Sequence, residues 1–210
     1  MTIGSKKFVL FLMGPTASGK TELAIEISKI INSKLISVDS ALIYRGMDIG
    51  TAKPDKETLK KFPHELIDIC DPEDSFSVND FIDQATTQIE LAFKENKLPI
   101  LVGGTSFYFN ALEHGISNLP ASTVQSRKHF NDLLKKHGSE KLHSNLKEID
   151  PDSAARIHPN DSQRITRALE VHDLSGETLS SLQGQKITRS LILKLRKLSL
   201  CRTGQSSMKG

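Results

Sequence analysis

The hydrophobic positions in the first half of the chain follow two alternating patterns, short apolar runs and apolar residues at helical spacing. An apolar run at residues 8–13 predicts a strand, and apolar residues from Leu23 to Ile31 recur at the spacing of a helix that begins near Gly19. Further strands are predicted at residues 34–38, 65–70 and 99–102, with a helix capped by Ser77 and another after Thr105. This alternation predicts an α/β fold with a parallel sheet flanked by helices.

After about residue 118 the pattern changes to charged segments with helical periodicity. These predict helices at residues 126–137, 139–148, 152–157 and 162–174. Residues 44–63 lack strong periodicity, and we expect a long functional loop with a short polar helix there. The predicted organisation is an α/β core at 1–118, a helical insert or lid with a return helix at 119–182, and an atypical basic tail at 183–210.

The most informative motif lies between the first strand and the first helix, where residues 14–21 read Gly-Pro-Thr-Ala-Ser-Gly-Lys-Thr. Gly14 and Gly19 allow successive N–H groups to converge on one anion, and Lys20 adds a full positive charge. The Thr21 hydroxyl is of the kind that ligates Mg²⁺. We therefore expect a core like that of P-loop NTPases, which binds a diphosphate or polyphosphate. The expected phosphate-binding residues are Gly14, Pro15, Thr16, Ala17, Ser18, Gly19, Lys20 and Thr21.

Two residues that follow other strands are candidates for chemistry. Asp39 comes after the second strand, and ligands lie beyond the carboxyl ends of parallel strands, so its carboxylate is predicted to lie beside the phosphate loop. There it could accept a proton, cap the next turn or hold Mg²⁺ through water. A later strand ends in Gly103-Gly104-Thr105, where many ATP and GTP hydrolases have an aspartate. This difference argues against a motor or switch nucleotidase, and Thr105 could contact a substrate or cap the following helix.

The charge balance separates the body of the chain from its tail. The chain has 28 Lys and Arg and 25 Asp and Glu, a formal net charge of +3. Seven of the basic residues and no acid lie at residues 183–210, which leaves residues 1–182 with 21 basic and 25 acidic side chains, a net charge of −4. The charge of the body is therefore weak evidence for nucleic-acid binding.

Cysteine usage and hydropathy bear on where the protein works. Cys70 and Cys201 are far apart and indicate neither a zinc site nor a disulfide framework, which favours a reducing cytoplasm. No apolar segment is long enough to cross a membrane, and nothing in the sequence requires more than a monomer.

Five blocks of sequence are informative together. Residues 39–54 read Asp-Ser-Ala-Leu-Ile-Tyr-Arg-Gly-Met-Asp-Ile-Gly-Thr-Ala-Lys-Pro, and residues 161–171 read Asp-Ser-Gln-Arg-Ile-Thr-Arg-Ala-Leu-Glu-Val. The others are residues 14–21, His-Glu-Leu-Ile-Asp at 64–68 and Gly-Gly-Thr-Ser-Phe-Tyr at 103–108. Through these blocks the chain, from about residue 8 to 183, resembles the tRNA dimethylallyltransferase (tRNA isopentenyltransferase) family.

The resemblance implies transfer of a dimethylallyl group from its diphosphate to the exocyclic N6 amine of the adenosine 3′ of the tRNA anticodon, with Mg²⁺ as cofactor. The implied catalytic residues are Lys20 on the diphosphate, Asp39 as general base, and Thr105 on the nucleotide or the departing phosphate. The residues implied to contact the anticodon stem-loop are Asp39, Ser40, Ala41, Leu42, Thr105, Arg127, Gln163, Arg164, Ile165, Thr166 and Arg167. From the residues alone, Arg164 and Arg167, three apart on one helix face, indicate a structural role, either as a solvated helix face or as partners of Glu170.

The resemblance stops near Gly184, where an acid-free basic sequence begins. We interpret this as a C-terminally truncated or frameshifted member of the family, in preference to one with a basic RNA-binding tail, and expect impaired activity. Two alternatives stay open, a small-molecule kinase with a P-loop, and an inactive fragment that binds a diphosphate or a nucleotide.

Overall fold

The computed structural model describes residues 8–184 together with the backbone of residues 186–187 and 194–199. The chain divides into two compact units, which we call the sheet unit (residues 1–113 and 190–210) and the helical unit (residues 114–189). The elements in chain order are β1 Phe8–Met13, α1 Lys20–Ile30, β2 Ser33–Val38, α2 Lys56–Lys61, β3 His64–Glu65, α3 Val78–Lys94, β4 Leu98–Gly103, α4 Ser106–His114, β5 Ile116–Ser117, α5 Val124–Ile149, α6 Pro151–Arg156, α7 Ser162–Ser175, α8 Leu179–Gly184, β6 Lys186–Ile187 and β7 Lys194–Ser199.

The sheet unit is built on a five-stranded parallel sheet in the order β3-β2-β4-β1-β7. Continuous apolar runs form β1 and β4, as expected for parallel strands that are covered on both faces. Leu12, Ala24 and Ile100 pack in one core cluster with Leu35 and Val102. The predicted α/β class, with a parallel sheet flanked by helices, is confirmed.

Local capping explains where α3 begins. The Ser77 hydroxyl accepts a hydrogen bond from the Asp80 amide (3.3 Å), and the Asp80 carboxylate accepts one from the Ser77 amide (2.8 Å). Each side chain thus satisfies a backbone donor that the first helical turn leaves unpaired. The predicted cap at Ser77 is confirmed, and so is the short helix in the 44–63 segment, which is α2.

The predicted strand at residues 65–70 is wrong beyond its first residue. β3 ends at Glu65 because Leu66 (φ 65°) and Asp68 (φ 54°) adopt left-handed backbone angles, which a strand does not accommodate. The Asp68 amide donates to the Leu42 carbonyl (3.1 Å), and the Ile69 amide donates to the Ile43 carbonyl (2.8 Å). The apolar run therefore turns and pairs with the segment that follows β2.

The helical unit has its own apolar core. Its buried members are Phe130, Leu142, Leu146, Ala154, Ile157, Ile165, Ala168, Leu169, Val171, Leu179 and Leu182. Gly138, with φ 78° and ψ 167°, interrupts the helical backbone of α5, so the two predicted helices on either side of it run into one element with a kink. The antiparallel pair β5–β6 belongs to the same unit.

Asp150 joins three helices of the helical unit. Its side chain is 2% exposed, and it accepts hydrogen bonds from the amides of Ser153 at the start of α6 (3.0 Å) and Ser180 in α8 (2.9 Å). Burial alone would raise the pKa of this carboxyl, but the hydrogen bonds from Ser153 and Ser180 hold it below its usual value. Asp150 is therefore a buried, ionised cap.

The three-part division of the chain stays a prediction. The expected basic tail at residues 183–210 falls mostly outside the described residues, where only the backbone strands β6 and β7 are defined. Among the helices described, none combines the length and the apolar character that a membrane crossing requires.

Candidate functional site

The phosphate-binding motif forms a tight loop between β1 and α1. Gly19, directly before α1, has left-handed angles (φ 83°, ψ 10°), and no side chain caps the helix at this point. Ala17 is also left-handed (φ 62°). Such angles turn neighbouring N–H groups toward one point, where the uncapped amides of the first helical turn add further donors. The loop therefore offers several backbone donors to an anion.

Lys20 folds back over this loop. Its Nζ donates to the carbonyl oxygen of Pro15 (2.8 Å). An anion in the loop would compete with that carbonyl for the ammonium group, and charge-assisted hydrogen bonds to phosphate are the stronger kind. Lys20 is thus able to exchange the Pro15 carbonyl for a phosphate oxygen.

A cavity of about 660 Å³ opens beside the loop, entirely within the sheet unit. Its lining residues are Thr16, Ala17, Ser18, Gly19, Lys20, Thr21, Glu22, Ile25, Ser37, Asp39, Leu42, Thr51, Ala52, Lys53, Pro54, Asp55, Thr58, His64, Ile67, Val102 and Gly103. This volume is in the usual range for small-molecule sites. The cavity combines the phosphate loop with the carboxyl ends of β2 and β4.

Asp39 lines the same cavity as the loop. Its Oδ1 accepts hydrogen bonds from the amides of Ala41 (2.9 Å) and Leu42 (3.4 Å), so the side chain caps the turn that follows β2. Among the described residues, Oδ2 has no hydrogen-bond partner. The capping alternative and the base alternative are therefore compatible, since one carboxylate oxygen fixes the side chain and the other is available to a ligand.

Thr105, which follows the neighbouring strand β4, supports this turn. Its Oγ1 accepts a hydrogen bond from the Ser40 amide (3.1 Å), and its own amide donates to the Val38 carbonyl (3.3 Å). The hydroxyl is thus used across the sheet, next to Asp39. In the described lining of the cavity, Leu42 is present, whereas Ser40, Ala41 and Thr105 are not.

Three buried polar atoms in the lining have no hydrogen-bond partner among the described residues: the hydroxyls of Ser18 and Ser37 and Nε2 of His64. His64 Nδ1 lies 2.8 Å from the Phe62 carbonyl, which can only accept, so Nδ1 carries the proton and Nε2 is an acceptor. Burial lowers the pKa of His64, although the hydrogen bond to the Phe62 carbonyl acts in the opposite direction. The cavity therefore presents a neutral imidazole.

Lys53 is a lining residue of the cavity that the sequence analysis did not predict as a site residue. Its side chain is 3% exposed, and Nζ donates to Asp68 (2.6 Å), Asp48 (2.8 Å) and the Tyr44 carbonyl (3.0 Å). Burial would lower the pKa of Lys53, but its hydrogen bonds to Asp48 and Asp68 raise it above the usual value. This ammonium group clamps the 44–55 segment, and its three donors are already engaged.

Sequence reasoning also missed Ser37, Thr58, His64 and Ile67 as lining residues. A signal existed for Ser37, because it lies on β2 two residues before Asp39, and side chains two residues apart along a strand share a face. His64 and Ile67 lie in the 64–68 block that the sequence analysis singled out, but no local signal gives their place in the cavity, and Thr58 has no signal at all, since these positions depend on how the 44–67 segment folds.

The remaining predicted site residues lie in the helical unit. Arg127 is exposed on the first turn of α5, and its Nε donates to the Ser122 hydroxyl (2.8 Å). Gln163 and Arg164 are exposed near the start of α7, whereas the Ile165 side chain is completely buried in the core of this unit. The Thr166 hydroxyl donates to the Ser162 carbonyl (2.8 Å).

Arg167 is more constrained than Arg164. The Arg164 side chain is 76% exposed and lies 3.5 Å from the Asp161 carboxylate. Arg167 Nη1 donates to Glu170 (2.6 Å), and Nη2 donates to the Pro120 carbonyl (2.6 Å). The alternative in which Arg167 pairs with Glu170 is therefore what the structure shows.

The oxygen donors of the cavity suit a hard divalent cation. The Thr21 hydroxyl and the Asp39 carboxylate both line it, and Mg²⁺ prefers such ligands together with water and phosphate oxygens. The described part of the chain contains no group of three or more His, Cys, Asp or Glu side chains that could hold a metal alone. A cation at this place would thus depend on the phosphate it accompanies.

The chain is similar to known proteins in sequence and in fold. A family model described as IPP transferase matches residues 42–206. A tRNA dimethylallyltransferase from Ruthia magnifica is 67% identical over 186 residues, 89% of this chain and 61% of that protein. The chain thus spans about six tenths of the length of the curated relatives it matches.

Two solved structures are similar as well. A full-length tRNA isopentenylpyrophosphate transferase from Bacillus halodurans is 44% identical with a TM-score of 0.52, over 82% of this chain and 57% of the other. A eukaryotic dimethylallyltransferase acting on tRNA is 27% identical with a TM-score of 0.72, over 93% of this chain and 48% of the other.

Proposed function

Because this chain belongs to the IPP transferase family, we propose that it transfers a dimethylallyl group from dimethylallyl diphosphate to the N6 amine of the adenosine 3′ of a tRNA anticodon. The observation that supports this most is the shared cavity, since Asp39 and loop residues Thr16 to Thr21 line one space of about 660 Å³. A diphosphate held by the loop and a nucleophile beside Asp39 could meet there. The relatives' names support the same activity.

In the proposed reaction the adenosine N6 attacks C1 of the dimethylallyl group. The bond between C1 and the diphosphate oxygen breaks, and the diphosphate leaves with the electron pair. The N6 proton passes to Oδ2 of Asp39, the oxygen that is not engaged in the turn. An exocyclic amine is a weak nucleophile because its lone pair is delocalised, so a positioned base helps the attack directly.

The leaving group needs its growing charge neutralised. We assign this role to the loop amides and to Lys20, which line the same cavity. Thr21 would hold a divalent cation, Mg²⁺ in our proposal, which when bound adds positive charge beside the diphosphate oxygens. The apolar side chains of Ile25, Leu42 and Val102 give the five-carbon group a surface to pack on.

The anticodon stem-loop is the proposed macromolecular partner. Asp39 to Leu42 and Thr105 would contact the target nucleotide, which has to leave its stack for its amine to be reached. Arg127, Gln163, Arg164 and Arg167 would bind the RNA in the helical unit, together with Thr166; Ile165 would serve by holding α7 in place. We propose that the protein acts in the reducing cytoplasm, which its cysteine usage favours. We also propose that it acts as a monomer.

The test incubates the purified chain with labelled dimethylallyl diphosphate, Mg²⁺ and an anticodon stem-loop RNA, followed by mass analysis of the nucleosides. Asp39→Asn keeps an oxygen for the Ala41 amide but removes the proton acceptor. We expect transfer to fall about 10²- to 10⁴-fold, with unchanged diphosphate affinity and melting temperature.

Asp55→Asn is the matched control. Asp55 lines the same cavity, and its carboxylate caps α2 by accepting from the Thr58 amide (2.7 Å), a role that asparagine fills equally well. This variant changes the charge of the cavity in the same way and should keep full transfer.

Phosphoryl transfer from labelled ATP to a small molecule without prenylation would instead identify a kinase. Diphosphate binding without any transfer would identify a binding fragment, and either result overturns the proposal.

A further inference from the structure

Glu170 is a buried carboxylate in the helical unit, on α7, and it is 4% exposed. Its Oε1 accepts hydrogen bonds from the hydroxyls of Ser122 (2.5 Å) and Ser126, and its Oε2 accepts one from Arg167 (2.6 Å). Burial would raise the pKa of Glu170, but these hydrogen bonds and the charge of Arg167 hold it below the usual value. The group is therefore an ionised anchor at neutral pH.

Two arginines are oriented by this anchor. Arg167 is held directly by Glu170 and, through its other terminal nitrogen, by the Pro120 carbonyl (2.6 Å). Arg127 is held indirectly, since its Nε donates to the Ser122 hydroxyl (2.8 Å), which in turn donates to Glu170 (2.5 Å). A hydroxyl can donate one hydrogen bond and accept another, so the chain from Arg127 through Ser122 to Glu170 is chemically consistent.

Both guanidinium groups keep donors for a ligand. A guanidinium has five N–H donors; Glu170 and the Pro120 carbonyl engage two of those of Arg167, and Ser122 engages one of Arg127. Arg127 is exposed, and the Arg167 side chain is 33% exposed. A planar group that is already held in place loses less entropy when it binds a phosphate than a free arginine does.

We propose that Glu170 is a positioning residue for RNA binding, which fixes the guanidinium groups of Arg127 and Arg167 for contact with the phosphates of the RNA. The inference rests on the proposed function, because it assumes that the helical unit binds the stem-loop. It assigns a favourable role to a carboxylate whose charge on its own repels RNA. The charge effect and the positioning effect therefore have opposite signs, and a single substitution separates them.

Glu170→Gln removes the negative charge and leaves a single acceptor oxygen, so the side chain can no longer accept from Arg167 and from the serine hydroxyls at the same time. If only charge mattered, the RNA would bind more tightly and with a steeper salt dependence. Positioning predicts the reverse, with affinity about tenfold lower. The slope of log K against log salt should become shallower by about 0.7 to 0.9 for each RNA phosphate that the protein no longer neutralises.

Two further variants control for charge and for a general structural defect. Glu177→Gln makes the same change of charge at an exposed position of the helical unit and should bind RNA as tightly as the wild type or more tightly. Ser122→Ala removes the hydroxyl that links Arg127 to Glu170, together with its hydrogen bond to Glu170, and keeps the bond between Arg167 and Glu170. It should show about half of the slope change, and it keeps the test valid if Glu170→Gln does not fold.

The measurement is the fluorescence anisotropy of a labelled anticodon stem-loop with the full chain over a series of salt concentrations. Transfer kinetics follow, in which the KM for RNA should rise while kcat and the KM for dimethylallyl diphosphate stay the same. RNA binding by Glu170→Gln and Ser122→Ala with the slope and affinity of Glu177→Gln would overturn the positioning role alone. If the wild-type chain did not bind the stem-loop at all, the proposed function would fail, and this inference with it.

Discussion

The carbonyl oxygen of Val38 occupies the space that a side chain on Gly103 would need, since an ideal Cβ on Gly103 would lie 1.9 Å from it. The two residues are register partners at the carboxyl ends of β2 and β4. Val38 directly precedes Asp39, so the absence of a side chain at Gly103 is what allows Asp39 to be placed beside the phosphate loop.

Gly103→Ala should therefore disturb both stability and chemistry. Overpacking costs about 1–3 kcal/mol or more, and for a chain of this size each kcal/mol lowers the Tm by roughly 2–4 °C. We expect a lower Tm and a loss of transfer at saturating substrate. Gly184→Ala is the control, because a Cβ at that position would meet no atom within 4 Å. A Gly103→Ala protein with the wild-type Tm and rate would contradict the steric argument.

Lys53→Met tests the clamp on the 44–55 segment. Methionine fills a similar space but leaves the carboxylates of Asp48 and Asp68 without their shared cation. We expect faster hydrogen exchange of the amides in this segment and weaker diphosphate binding, because the segment forms one wall of the cavity. Lys60→Met, at an exposed position of α2, makes the same change of charge and should alter neither quantity. Equal exchange in both variants would show that the clamp does not order the segment.

The buried His64 predicts a loss of stability in mild acid. Its pKa is lowered in the folded protein, so below the ordinary value of about 6.5 the unfolded chain binds a proton that the folded chain resists. The stability contributed by neutral His64 should thus be lost as pH falls from about 7 toward its folded pKa. The Tm difference between the wild type and His64→Gln should shrink between pH 7.5 and 5.5. His137→Gln, at an exposed position, controls for the loss of a histidine, and an unchanged difference would contradict the role of burial.

The lowered pKa of Asp150 predicts a second loss of folding stability, at a lower pH than the one that involves His64. Asn at this position can accept from Ser153 or Ser180 but not from both, which leaves one buried amide unpaired at a cost of about 1–3 kcal/mol. The pKa of Asp150 is lowered, so its contribution is complete above the unfolded value of about 3.9 and is lost as pH falls through the folded value. The Tm deficit of Asp150→Asn should therefore be constant from pH 7 to 5 and shrink below about pH 4. Asp152→Asn, exposed on α6, should show no deficit.

The parts of the fold that local patterns determine could be predicted from the sequence. β1, α1 and α3 followed from apolar runs, helical spacing and the Ser77 cap, because each of these signals lies within the element itself. The run at 66–69 misled the prediction because its turn depends on pairing with residues 42–43 rather than on its own hydropathy. Apolar content alone does not distinguish a strand from a buried turn.

Some features of the candidate site could likewise be predicted from the sequence, whereas others could not. The loop motif and the position of Asp39 after a parallel strand were enough to predict that they share one cavity. The burial of Lys53 was not predictable, because it depends on two carboxylates that the fold brings together. Glu170 is similar, since its partners Ser122 and Ser126 lie 48 and 44 residues away in the chain.

The shortness of β3 has a consequence for the protein in a crowded solution. Within the described residues the sheet ends on this strand of two residues, after which Leu66 turns the backbone away. An exposed edge strand offers unpaired amides and carbonyls as a template on which a second chain can add, and a long flat edge invites aggregation. Here the template is cut to two residues, so on this side the protein is protected against intermolecular strand addition.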